Sequence, residues 1–163
     1  MSNKLQEESA INAFDPRSIN KRVYEALCAL RKGYDLAKEC GTVKEEEYNK
    51  GLREQKSQAQ ELYTYLATWG LMRLRAEEMS GNKEKKYSEI TQNGKREMLD
   101  CFFKCLERVA TKQNLASING IDTLNAMKMD DYLGLTGIAL AVAREFSFWA
   151  DAIYPDIKGG EKE

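Results

Sequence analysis

Residues 62–79 read LYTYLATWGLMRLRAEEM, and the fold turns on that stretch. Apolar side chains fall on nearly every side of a 3.6-residue repeat, which predicts a central helix packed by neighbours on several faces. Gly70 lies inside it, at a cost of about 1 kcal/mol against alanine. We read it as structural, with Trp69, Gly70 and Leu71 building a close helix crossing. Arg75 shares a line with Thr64, Thr68 and Glu78 and is expected to face a partner, as a candidate for contact with an RNA backbone. Arg73 shares a line with Leu62, Leu66 and Trp69. It either pairs with Glu77 one turn on, or carries its guanidinium to a phosphate or a partner carboxylate.

Upstream, Asp15-Pro16 is a helix start, a capping carboxylate followed by proline at the first helical position. Ile19, Val23, Leu27, Leu30 and Tyr34 then recur at helical spacing, and Gly41 stops the run. A second segment opens near Thr42 and Val43, with Glu45, Glu46 and Glu47 where the helix dipole favours them. It is polar until Ala59, with Gly51 and Ser57 as places for a break. Downstream, residues 82–94 are a polar connector. Leu99, Phe102, Phe103, Leu106 and Val109 form the stripe of the next helix. A short helix is expected over 123–127, and a last one from Asp130 or Asp131 to Pro155, with Leu135, Ala139, Val142, Phe146 and Trp149 on its apolar face. No strand-like alternation appears. The expected fold is all-α, a compact bundle of four to six helices with no sheet. It comprises a flexible tail over 1–14, one domain over 15–155 and a flexible tail over 156–163.

The chain has 163 residues, a net charge of −1, no histidine and two prolines, both outside helix interiors. That length supports one domain with a real core. The polar, acidic N-terminal stretch MSNKLQEESA lacks the apolar centre of a signal peptide, and no apolar run approaches the roughly 20 residues of a membrane span. A cytoplasmic protein without membrane contact is expected. The four cysteines include Cys101 and Cys105 at i, i+4, but without histidine that pair makes an incomplete metal site, and all four read as small buried thiols. No catalytic triad, zinc motif or glycine-rich phosphate loop is present. We expect no catalysis, no cofactor and no small-molecule substrate.

Helix faces that keep like charges together are the remaining functional signal. Lys104, Arg108 and Lys112 stand at i, i+4, i+8, where each like-charge pair costs a few tenths of a kcal/mol. The stripe is either solvated or tracks phosphates, and Asp100 relieves part of it. The connector adds Lys85 and Lys86 around Tyr87, a mixture suited to backbone contact and base stacking. In the first helix Lys21 and Arg22 are followed by Lys32. Lys21 and Lys32 share a face that serves as a rail for a phosphate backbone or pairs with Glu25, Asp35 and Glu39. Arg144 and Phe148, one turn apart and off the main apolar stripe of the last helix, are candidates for a protein contact. Trp69, Gly70, Tyr132 and Trp149 are candidates for structural roles.

Three short stretches carry a family likeness: INKRVYEAL at 19–27 (Asn20, Lys21, Arg22, Ala26), TWGLMRL at 68–74 (the Gly70-Leu71 pair), and DDYLGLTGIAL followed by FWADAI at 130–153 (Tyr132, Thr136, Ala139, Leu140, Ala150). In this order the chain resembles the small-subunit family of type III-B (Cmr-type) CRISPR effector complexes, over roughly residues 17–154. It departs where the family's closing helix carries basic residues and Ser147 and Phe148 stand here. The resemblance implies a non-catalytic subunit in antiviral defence, stacked in copies along a ribonucleoprotein filament. Its partners would be the backbone-forming subunits, neighbouring copies of itself, the guide RNA and the target RNA. Guide–target pairing reads sequence in such assemblies, so the subunit needs only phosphate and shape contacts. An all-helical scaffold or adaptor that binds only proteins is the alternative.

Overall fold

Proline in the first turn and glycine beyond the last bound the first helix: α1 is Pro16–Glu39, and Gly41 turns the chain at a φ of 72°. The computed structural model describes residues 16–80 and 94–158, without the side chains of residues 16 and 78–80. The tail predicted over 1–14 lies outside the described residues. Three glutamates fill the first turn of α2, Glu45–Trp69, where Glu47 accepts a hydrogen bond from the Lys44 backbone N–H at 3.4 Å. Then follow α3, Leu71–Ser80, α4, Gly94–Ala110, α5, Gly120–Asn125, and α6, Met129–Ile153. Among the described residues the protein is an all-α bundle of six helices with no sheet.

The four long helices pack on one another, and side-chain contacts give their directions. Tyr48 Oη donates to Asp35 at 2.5 Å, so α2 returns along α1. Lys56 pairs with Asp151 at 3.6 Å, Ser147 Oγ donates to the Ala59 carbonyl at 3.1 Å and Arg144 donates to Tyr63 Oη at 3.2 Å, so α6 is antiparallel to α2. Tyr24 meets Trp149 at 5.0 Å and Arg31 donates to the Ile153 carbonyl at 2.7 Å, so α6 runs with α1. Tyr34 at the end of α1 donates to Glu97 at the start of α4, making that pair antiparallel. The order is up-down-down-up. Phe102 is the hub of the core, edge-on to Phe103 at 5.2 Å and to Phe146 at 5.7 Å.

Three expectations are corrected here. The helix predicted over 62–79 is two helices, because Gly70 adopts φ 86° and ψ 168°. Its N–H still donates to the Leu66 carbonyl at 2.9 Å, after which the chain turns and buries Leu71 and Leu74. A Cβ at Gly70 would meet nothing, so the position serves backbone conformation and not a close crossing, and Trp69 beside it is 53% exposed. Second, α2 does not break at Gly51 or Ser57. Gly51 supplies the close approach instead: the Tyr34 ring lies over it, and a Cβ on Gly94 would run into its carbonyl oxygen. Third, the domain does not end at Pro155. Arg31 forks onto both carboxylate oxygens of Asp156 at 2.5 and 2.6 Å, Ile157 is buried, and Lys56 Nζ donates to the Tyr154 and Ile157 carbonyls at 3.1 and 2.6 Å.

Candidate functional site

Between α1 and α4 lies an open groove of about 460 Å³. Its α1 wall is Arg22, Glu25, Ala26, Ala29 and Leu30, one helical face at i, i+3, i+4, i+7 and i+8. The α4 wall is Glu97, Asp100, Cys101, Lys104, Cys105 and Arg108. Alanines and cysteines stand where larger side chains would close the helices together, which leaves a floor of small groups under a charged rim.

Charge is unevenly balanced along that rim. Lys104 is held by Asp100 at 2.7 Å, and Glu25 faces Lys21 at 4.0 Å. Burial pushes the Glu97 carboxyl up to about 7, against the hydrogen bond from Tyr34 Oη, so one of the three rim carboxyls is only partly ionised at neutral pH. Arg22 and Arg108 have no ion-pair partner among the described residues. Both act on the Cys105 thiol between them: burial pushes it up to about 11, and the two guanidinium groups work against that rise. Burial pushes Cys101 up to about 12. Both therefore remain thiols at neutral pH, which makes them weak nucleophiles. Cys105 is buried as expected, whereas Cys28 and Cys101 are half-buried and Cys40 is exposed, which corrects the reading of all four as buried.

The structure gathers Arg22, Lys104 and Arg108 and scatters the other candidate cations. Lys21 and Lys32 are exposed on α1 outside the groove. Lys112 falls off the line of Lys104 and Arg108 because α4 ends at Ala110 and Thr111 turns at a φ of 51°. Lys85 and Lys86 lie outside the described residues.

Arg75 is the clearest correction. Its exposure is 0%, its Nε donates to the Leu115 carbonyl at 2.8 Å, and Nη2 donates to the Ser117 carbonyl at 2.5 Å. Glu107 takes the N–H groups of the same loop, Leu115 at 2.7 Å and Ala116 at 2.8 Å. The two side chains hold the segment that leads into α5, and Arg75 is not available to RNA. Arg73, read as either pairing with Glu77 or reaching a phosphate or partner carboxylate, is exposed, with its guanidinium 4.2 Å from the Trp69 ring centre. Tyr132 keeps a structural place, since its Oη accepts the Met72 N–H near the start of α3 at 3.3 Å. Trp149 is wedged between Tyr24 and Phe148, with ring centres at 5.0 and 5.3 Å.

Both candidates for a protein contact are on the surface. Phe148 is 67% exposed, and Arg144 donates to Tyr63 Oη at 3.2 Å. Sequence reasoning missed their neighbours Leu133 and Met129, which are 60% and 74% exposed. The signal was their place on the helix face opposite Leu135, Ala139 and Val142. By length and composition alone α6 also meets the requirements of a membrane span, which corrects the expectation that no segment does; a third of the window that meets them is buried against the other helices.

Compared with models of known families, with curated proteins and with solved structures, the chain matches none.

Proposed function

We propose that this chain is a non-catalytic helical subunit of a type III CRISPR ribonucleoprotein, touching the backbone of guide or target RNA through the α1–α4 groove. The observation that carries this reading is the meeting of Arg22 and Arg108 from opposite halves of the sequence, without carboxylate partners among the described residues, across an open groove. Guanidinium groups suit phosphate oxygens by their fork geometry. Two such groups over a floor of small side chains give a contact indifferent to base identity, which is what an assembly that reads sequence by base pairing requires. The three motif stretches support the same reading, and the exposed α6 face suits contact with backbone subunits or neighbouring copies. That apolar face also favours a second reading, an adaptor that binds only proteins.

The test is to purify the tagged chain from its host, weigh the assembly by native mass spectrometry and extract its RNA. A multi-subunit particle with a uniform short guide RNA is expected. Arg22→Glu with Arg108→Glu should leave the particle assembled and weaken its hold on target RNA. The slope of log affinity against log salt should fall by about 0.7 per lost phosphate contact. An RNA-free protein complex would establish the adaptor, and an unchanged salt slope would remove the groove from the RNA path.

A further inference from the structure

Helix α6 uses one face in the bundle and leaves the other bare. Leu135, Ala139, Val142, Phe146 and Ala150 are buried to 5% or less. Opposite them Asp130, Leu133, Gly137, Ala141, Arg144 and Phe148 form a line at i, i+3, i+4 spacing, and all six are exposed. Leu133 and Phe148 are large apolar side chains left 60% and 67% exposed on that line, and such exposure on one helix face suits an interaction surface. Asp130 and Arg144 are the charges on that line. Neither has an ion-pair partner among the described residues, although Arg144 also rests on the Tyr63 ring at 5.1 Å. Gly137 lies midway between them, with each charge about 10 Å away along the axis. A Cβ at Gly137 would meet nothing within 4 Å among the described residues, so none of them accounts for a residue that costs a helix interior about 1 kcal/mol against alanine.

We propose that a second copy of this chain docks on this face, α6 against α6 and antiparallel, with the two-fold axis at Gly137. The two helices then approach most closely where both lack a side chain. Asp130 faces Arg144 of the partner subunit, Arg144 faces Asp130 of the partner subunit, and Leu133 lies against Ala141 of the partner subunit. Opposite charges equidistant from one bare position are self-complementary, which is the requirement of an isologous contact. An unrelated helix would impose no such symmetry, and a lipid surface would leave both charges unpaired in an apolar medium. The contact closes at two copies. It therefore describes the free chain and not stacking along a filament, and it stands apart from the RNA reading because it uses none of the groove residues.

Sedimentation equilibrium of the full chain over a wide concentration range tests it. A monomer–dimer equilibrium is expected. Gly137→Leu enters open space, so the protomer should melt at or above the wild-type temperature while the dimer dissociation constant rises about tenfold or more. Asp130→Arg and Arg144→Asp should each weaken dimerisation about tenfold, because both symmetric pairs become repulsive. The double exchange should bring it back to within about threefold of wild type. A chain that stays monomeric, a dimer indifferent to Gly137→Leu, or a double exchange no better than the single ones would overturn the proposal. So would a monomer that sediments with vesicles of uncharged phosphatidylcholine. Loss of RNA contact in the groove variants leaves all of these readouts unchanged, so the two proposals fail separately.

Discussion

The carboxyl of Glu97 titrates near neutrality because packing between α1 and α4 partly buries it, while Tyr34 Oη donates to it at 2.5 Å. The direction of the consequence follows from proton counting. Between the ordinary value of 4.5 and the folded value of about 7, the folded chain holds a proton that the unfolded chain has released. Stability therefore falls as pH rises through that window and is level above it. Glu97→Gln keeps an acceptor for Tyr34 and removes the titration, so urea midpoints at about pH 5 and about pH 7.5 should differ less in the variant than in wild type. Glu145 is raised in the same direction by burial, so the difference between variant and wild type, and not the whole slope, reports Glu97. An identical slope in both chains would show that this carboxyl does not titrate differently on folding. Arg75 makes the contrasting case at this scale. Periodicity set it on a polar line with Thr64 and Thr68, a reading that holds only if one helix runs straight through. The turn at Gly70 re-aims every position after it, and Arg75 enters the core to hold three consecutive carbonyls, Leu115 through Ser117.

Helix existence was legible because each long element carries its own punctuation: Pro16 and Gly41 around α1, three glutamates opening α2, Asp130 and Asp131 opening α6. The glycines inside the elements were harder to read, since the residue is the same whether it serves a positive φ, a close approach or a bare surface. Gly70 is the first kind, Gly51 the second, and Gly137 has only open space beside it. Gly70→Ala should therefore destabilise the chain by about 1–3 kcal/mol in urea melts, even though alanine is the better helix former, because φ 86° is strained for any Cβ. A neutral or stabilising result would mean that α2 and α3 can join into one straight helix without cost to Leu71 and Leu74.

Across the molecule, the C-terminal segment closes the bundle by reaching back to α1 and α2. Asp156 is held below the usual carboxylate range by the Arg31 guanidinium, while Lys56, 8% exposed, satisfies the carbonyls beyond the end of α6. Ending the chain after Pro155 should cost about 2–3 kcal/mol, from the burial of Ile157 and a partly exposed ion pair. Ending it after Lys158 should change stability by less than about 0.5 kcal/mol. Equal melts for the two truncations would show that the segment adds nothing. The sequence alone determined the all-helical class, the places of most helix ends and the absence of strand patterning, because backbone propensity and a 3.6-residue repeat are local properties. It also singled out Arg22, Lys104 and Arg108, but among six other cations of equal claim. Only the tertiary structure decided which of these share a groove, which arginine is buried, and which face of α6 is left bare. Those facts depend on which helices lie side by side, and no spacing within one helix encodes its neighbour.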